Sequence, residues 1–516
     1  MKPVLGHARM GAELMMNDRE MPDNKKKSYR RTVKYLGIFG GAQGVSMFLG
    51  LVRNKVASIL LGAHGLGLIA LYSRTIQMFS ECTNLSLSFS AVRRLSYAYE
   101  NEDRESVEHC VKIIRSIAFL TGVVGLLLFL MCSPLIAKWI FGRYTYYLSR
   151  FVMVSPVVFF MAVSGGEVAV LRGIRQLNKL ALYSLLTALG GVLLAVPLYY
   201  IRGLGGIFPA MFLVAFVQMI VALRFSVKHF KYRISPFSLS LIYEGIDMVK
   251  MGAGYIYASI LTSCSVWLIC KAMSEIGNGT VTGLFSAGFV IMSMLPSVLF
   301  AALDSDYYPR LSGAFRNREK RTSMVNEQIE IHMLVQAPVI LGVIVVLPYL
   351  LPMMYTSEFI PAVKMTQMAM FGLLLHVMTY PISFLPLAKG DSFVFLVQES
   401  VYNVSMVVFV VLGYVYYGLR GVGIALFFVR VVDFITVYLI SYKKYSFRLS
   451  WRVTKYFLIN MVLFATVLFS ILEMKGVKAW VLSAGCVACS GMVSLYMLAQ
   501  HQGFLYKVYK RVFRKG

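Results

Sequence analysis

Long apolar runs alternate with short polar or basic segments along almost the whole chain. Most runs hold about 20 residues or more, enough for a helix to cross a hydrocarbon layer. The pattern predicts spans at about 33–61, 67–93, 113–132, 151–171, 179–200 and 204–225. Six more follow at about 247–270, 282–308, 331–352, 362–387, 392–416 and 421–442, and a final pair at about 453–472 and 479–499. The fold class expected is an all-α polytopic membrane protein of about 14 transmembrane helices. Glycine-rich turns separate several spans, above all Gly62-Ala63-His64-Gly65-Leu66-Gly67, and Pro381 and Pro386 should bend the tenth. Gly40 and Gly44, four apart in the first span, would allow a close helix neighbour.

The pattern also repeats. Slid by 216 positions, Gly67-Leu68 falls on Gly283-Leu284, Met78 on Met294, and Arg94-Leu95-Ser96 on Arg310-Leu311-Ser312. At a shift of 215, Gly203-Leu204 and Gly206 fall on Gly418-Leu419 and Gly421. A duplicated unit of about six helices follows, and an even number keeps both copies in one orientation, related by an axis along the membrane normal. The layout is a tail over 1–32, an N-lobe over 33–226, a connector over 227–246 and a C-lobe over 247–442. An extra helix pair over 443–500 and a basic tail over 501–516 complete it.

Polar positions within the second span carry the candidate chemistry. Arg74, Gln77, Glu81, Asn84 and Ser88 step by three and four, so a helix places them on one face. Such a stripe either lines water, as in a transporter cavity, or serves as glue between helices. Lys55 in the first span and Arg74 in the second both lie about 9–11 Å below the outer turn at 1.5 Å per residue. Arg53 is about 3 Å deeper by the same rise and roughly 200° around the helix from Lys55. These cations either snorkel to the outer headgroups or form a site for an anion. Glu81, Asp304 and Asp306 are the acids for ion coupling or a gate; helix capping is the competing reading for the aspartates. Arg430 and Asp433, three apart, should pair, and Glu167 and Glu399 read as lone acids near span ends.

Composition narrows the function classes. The chain has 516 residues, 58% hydrophobic, with a formal charge of +27. The bases gather in alternate loops, including Lys25 to Arg31, so both termini are expected in the cytoplasm. That excess suits anionic lipid at the inner leaflet rather than nucleic acid. Residues 1–24 lack a signal-type apolar core, and Met21 is a second candidate start beside Met1. Seven cysteines form no framework, and Cys486-x-x-Cys489 lies in an apolar run without redox context. The sequence contains no metal-ligand cluster, nucleophile elbow or phosphate-binding loop, so neither an enzyme nor direct ATP use is expected.

With these residues in view the chain resembles the bacterial oligosaccharide-lipid flippases of O-antigen type. These belong to the multidrug/oligosaccharidyl-lipid/polysaccharide exporter superfamily. The resemblance is carried by GLVRNKVASILLGAHGLGL (Gly50 to Leu68), RRLSYAYENED after the second span, VLRGIRQLNKLALYSLL (Val170 to Leu186) and DSDYYPRLS (Asp304 to Ser312), and covers about 33–440. It implies two six-helix lobes around a cavity lined by spans 1, 2, 7 and 8. It also implies a polyprenyl-diphosphate-linked glycan moved from the cytoplasmic to the periplasmic leaflet of the inner membrane. No cofactor is implied beyond a proton or sodium gradient, and glycan-polymerising membrane proteins are candidate partners. The two extra C-terminal helices bring the plan nearer to the peptidoglycan-precursor flippases. A multidrug cation antiporter would instead call for outer acids where Lys55 and Arg74 stand. A scaffold that transports nothing has little use for a polar stripe.

Overall fold

A computed structural model describes residues 23–84, 87–100, 104–141, 144–235, 243–244, 253–303, 307–474 and 476–500. Among the described residues, regular structure is helical throughout. The helices are α1 (Asp23–Asn84), α2 (Leu87–Glu100), α3 (Arg104–Phe141), α4 (Tyr144–Val154), α5 (Pro156–Gly173), α6 (Leu177–Arg202) and α7 (Ile207–Val227). There follow α8 (Ala253–Ile276), α9 (Gly279–Leu303), α10 (Tyr307–Ala314), α11 (Arg318–Met354), α12 (Pro361–Phe371) and α13 (Leu373–Lys389). The last are α14 (Ser392–Tyr445), α15 (Trp451–Glu473) and α16 (Val477–Gln500).

Nine helical segments among the described residues are long and apolar enough to cross a membrane, and α12–α13, bent by 43°, makes a tenth. Three of the nine, Gly41–Thr83, Leu177–Val227 and Ser392–Tyr445, run to 43, 51 and 54 residues. Each is about two crossings long. Each breaks at a glycine in the positive-φ region: Gly62 (φ 66°), Gly203 (φ 53°) and Gly418 (φ 58°). L-residues with a Cβ rarely adopt that conformation, so glycine sets where the apolar run is interrupted. With α9 included, every predicted span has a helix or half of a broken helix behind it.

The differences lie at the ends. The segment from Lys138 to Arg150, between the spans predicted at about 113–132 and 151–171, contains the last turn of α3 and the start of α4, and α3 begins nine residues before the predicted 113. Backbone hydrogen bonds continue a helix past the hydrocarbon edge when side chains turn polar, so hydropathy marks the membrane and not the helix. In the glycine run after Leu61, only Gly62 leaves helical geometry. Gly65 and Gly67 already belong to the resumed helix, where they are buried.

Contacts divide the chain into two compact units: residues to Leu61 with Tyr72–Ile260, and Gly62–Leu71 with residues from Leu261 onward. The division falls within α1 and α8 rather than in a loop. The first unit has a core of Ala91 and Leu95 (α2), Ile113 and Ile114 (α3), and Ala169, Val170 and Leu171 (α5). Small residues bring these helices together: a Cβ on Gly166 would lie 2.7 Å from that of Ala118, and one on Gly173 would lie 2.6 Å from Leu95. By contrast, Gly44, expected to mark a close neighbour, meets nothing within 4 Å.

The second unit is built on α11, whose Ile329, Met333, Ala337, Ile340, Leu341 and Leu347 are all fully buried. The extra pair α15–α16 is fastened to it through Asn326. That side chain donates to the Arg448 carbonyl at 3.0 Å and accepts from the Ser450 amide at 2.8 Å. Ser450 in turn caps α15, accepting from the Val453 amide at 3.3 Å.

Candidate functional site

The polar stripe of the second span begins about two helical turns after a tight crossing. In the second unit, a Cβ on Gly67 would lie 1.8 Å from the Gly279 carbonyl oxygen, and one on Gly283 would lie 2.0 Å from that of Ala63. The Ala63 amide, an orphan donor of the first turn after Gly62, is accepted by Glu358 Oε2 at 3.0 Å. Glu358 is mounted between Ser357 and the fully buried Phe359 on a short 3-10 turn.

From Tyr72 onward the helix belongs to the first unit. Arg74, half-buried, donates from Nη1 to Gln77 Oε1 at 3.1 Å, the i, i+3 spacing of the stripe. Glu81, seven residues on, accepts from Ser259 Oγ of α8 at 2.7 Å. The acid therefore bridges α1 to α8, a contact that nothing in the sequence announces. Asn84 and Ser88, the remaining stripe members, have side chains outside the described residues, as do Asp304 and Asp306. Lys55 is half-buried, and its carbonyl accepts from Ser58 Oγ at 2.7 Å. Arg53 faces another way: its Nη1 lies 3.4 Å from where a Cβ on Gly191 of α6 would sit. The wide angle between Arg53 and Lys55 expected from helical geometry is consistent with this.

Glu167 is not a lone acid. It accepts from Arg115 Nε at 2.9 Å and from Nη2 at 3.2 Å, with both side chains 1% exposed. The same guanidinium donates to the carbonyls of Phe230 and Lys231 at 3.2 and 2.9 Å and to Ser226 Oγ at 3.0 Å. Its carbon lies 5.1 Å from the Tyr232 ring centroid. With every group satisfied, the pair ties the start of the connector to α3 and α5, a structural task. Arg430 and Asp433 do pair, at 3.5 Å. All seven cysteines are free thiols, Cys486 and Cys489 among them. Among the described residues no group of three or more His, Cys, Asp or Glu could hold a metal ion.

A helical chain with this many long apolar helices has the form of a multi-pass membrane protein, and comparison with known proteins bears on the class. An inward-facing multidrug-resistance MATE-family transporter of the MOP superfamily superposes with a TM-score of 0.64 at 15% identity, covering 80% of this chain and 96% of that one. The lipid II flippase MurJ, in an inward closed conformation, superposes with a TM-score of 0.66 at 14% identity, covering 90% of this chain and 99% of that one. A MOP-superfamily transporter from Pyrococcus furiosus gives a TM-score of 0.58 at 15% identity, with 80% and 96% covered. At these identities the likeness is one of fold. The profile of the polysaccharide biosynthesis protein family matches residues 33–315, more than half of the chain, and the chain belongs to that family. No curated protein matches it in sequence.

Proposed function

We propose that this protein is a flippase for a polyprenyl-diphosphate-linked oligosaccharide. It carries its cargo from the cytoplasmic to the periplasmic leaflet of a bacterial cytoplasmic membrane for surface polysaccharide assembly, by alternating access. Membership of the polysaccharide biosynthesis family is the observation that carries this reading. Lys55 and Arg74 support it. Both are half-buried on apolar helices, where a diphosphate needs Lys or Arg to offset its charge. Gln77 and Glu81 then offer hydrogen bonds to hydroxyls along the same face. The polyprenyl tail has no need of a polar path and stays in lipid. Both termini are cytoplasmic in this reading, with anionic lipid against the inner basic loops.

Purified protein in liposomes tests it. A fluorescent polyprenyl-diphosphate glycan in the inner leaflet should become accessible to an added quencher or glycosidase at a rate that depends on the protein. Unchanged accessibility overturns the reading. A second cargo, the peptidoglycan lipid precursor, is favoured by one observation: the flippase named for lipid II covers more of this chain than the MATE transporter does. Running both lipids in the same assay separates the two.

A further inference from the structure

Among the described residues, the connector is tied to α2 and α3 of the first unit at three places. Two of the ties belong to the duplicated scaffold. The Phe230 carbonyl accepts from Arg115, and the Ser235 amide donates to Ser116 Oγ at 2.9 Å. Both recur in the second unit at the shift of 215 that relates the glycine turns. There Arg321 of α11 donates to the Tyr445 carbonyl, and the Ser450 amide donates to Asn326 Oδ1. The sequence repeats with them: Phe230, Arg233 and Ser235 fall on Tyr445, Arg448 and Ser450.

The third tie has no such copy. Glu244 Oε2 accepts from Arg94 Nη2 of α2 at 3.1 Å and lies 3.1 Å from His109 Nε2 of α3. Arg94 Nη1 also donates to the Glu244 carbonyl at 3.4 Å. At shifts of 216 and 215, His109 and Glu244 fall on Val325 and Ile459, which carry no charge. Exposure separates the ties as well. The side chains of Arg115 and Glu167 are 1% exposed, whereas those of Arg94, His109 and Glu244 are 40, 47 and 33% exposed.

A carboxylate only accepts, so His109 Nε2 carries a proton whether the ring is neutral or charged. Acid therefore breaks no bond here. It adds a second proton, at Nδ1, and with it a positive charge beside the carboxylate. Histidine is the side-chain type whose charge changes between pH 5 and 8. On α3, Glu105 and Lys112 stand one turn to either side of His109, Glu108 is held by Arg104 at 3.2 Å, and Cys110 is a buried free thiol. From α2 comes Arg94, a like charge already engaged by the same carboxylate. From α5 come the exposed Arg172 and the buried Glu167, which Arg115 neutralises. Glu244 is the carboxylate in contact, so the charged ring is held more tightly than the neutral one. A group bound more tightly when protonated adds stability at acid pH, and the gain is lost as pH rises through its titration.

We propose that Glu244, Arg94 and His109 form a pH-sensitive latch on the connector. Acid tightens it and alkali loosens it, while the ties at Phe230 and Ser235 stay fixed. The segment it holds runs on into α8, whose Ser259 reaches Glu81 of the polar stripe. On the orientation proposed above, the latch faces the cytoplasm and reads its pH.

Hydrogen–deuterium exchange of the full chain in nanodiscs, at about pH 6 and about pH 8, reads the latch through the peptide that carries Tyr243 and Glu244. Corrected for the chemical exchange rate at each pH, that peptide should exchange about two- to fivefold more slowly at the lower value, the range of a half-exposed ion pair. His109→Gln keeps a donor for Glu244 but takes no charge. It should abolish the slowing and leave exchange at the higher pH near wild type. Glu244→Gln should abolish the slowing too. His229→Gln alters the other histidine described in the first unit and should preserve it. A wild-type peptide without slowing, or a slowing that survives His109→Gln or Glu244→Gln, overturns the proposal. So does a slowing that is lost in His229→Gln. If Glu244→Gln does not fold, His109→Gln decides alone. The measurement involves no glycan, so a flipping assay that fails with every cargo leaves the latch standing.

Discussion

Gly67 and Gly283 are images of each other. Each would drive a Cβ into a carbonyl four residues from the other glycine, Gly279 in one case and Ala63 in the other. The 216-residue shift found in the sequence carries Ala63 onto position 279 and Gly67 onto 283, so the two first turns cross about a local two-fold relation. At such a crossing even one methyl group overpacks.

Gly67→Ala and Gly283→Ala should each lower stability, by about 1–3 kcal/mol or more. Detergent-extracted protein followed by thermal unfolding on size exclusion measures the loss. Gly44→Ala, which meets nothing within 4 Å, is the control and should melt with the wild type.

Glu167→Gln leaves the Arg115 guanidinium buried without a counter-charge, which costs about 3–5 kcal/mol at such sites. The first segment to loosen should be the one that Arg115 holds, Phe230 to Tyr232. Limited trypsin digestion should then cut faster at Lys228, Lys231 and Arg233, all exposed. A digestion pattern equal to wild type removes Arg115 from this role.

Arg74→Ala should abolish glycan export in a complementation assay while protein level and membrane insertion stay normal. Arg74→Lys should restore part of it, since a point charge replaces the fork. Lys55→Ala should weaken export as well. Normal export by both alanine variants would move the anion site elsewhere.

Asp391, between α13 and α14, accepts from Lys444 Nζ at 2.7 Å and from the Tyr445 hydroxyl at 3.1 Å. The hydrogen bond from Lys444 is the main influence holding this carboxyl below the usual aspartate range. A depressed folded-state value means stability that is present above the unfolded value and lost as pH falls through the folded one. Asp391→Asn should therefore melt below wild type at neutral pH. The gap should be small, within about 1 kcal/mol, because Lys444 is partly exposed. It should close below about pH 4. A gap unchanged at acid pH would trace the effect to packing.

Much of the fold was legible because hydrophobic length is a local property. Each span announced itself, and so did the extra pair α15–α16. Glycine roles were half legible. The repeat marked Gly67 and Gly283 as notable, but only the crossing separates a contact glycine from the turn glycine at Gly62. The site was less legible, since ion pairs depend on partners far apart in the chain. Glu167 and Arg115 are 52 residues apart and Glu81 and Ser259 are 178 apart, and no periodicity joins them. His332 carries a signal in the sequence itself: a histidine flanked by glutamines four residues to either side, one helical face in an apolar run.

Gly203 and Gly418 turn the chain with nearly the same dihedral angles. Three residues later, Gly206 and Gly421 press against the carbonyls of Leu198 and Gly413, each eight residues back. After duplication, then, the two halves kept the atoms that a hairpin cannot do without and let their charges drift apart. Steric demands of the backbone accept no substitute, whereas an interior charge can change if a neighbour changes with it. A duplicated membrane protein of this kind can acquire new chemistry in one half while the other retains its own, without altering the scaffold that both inherited.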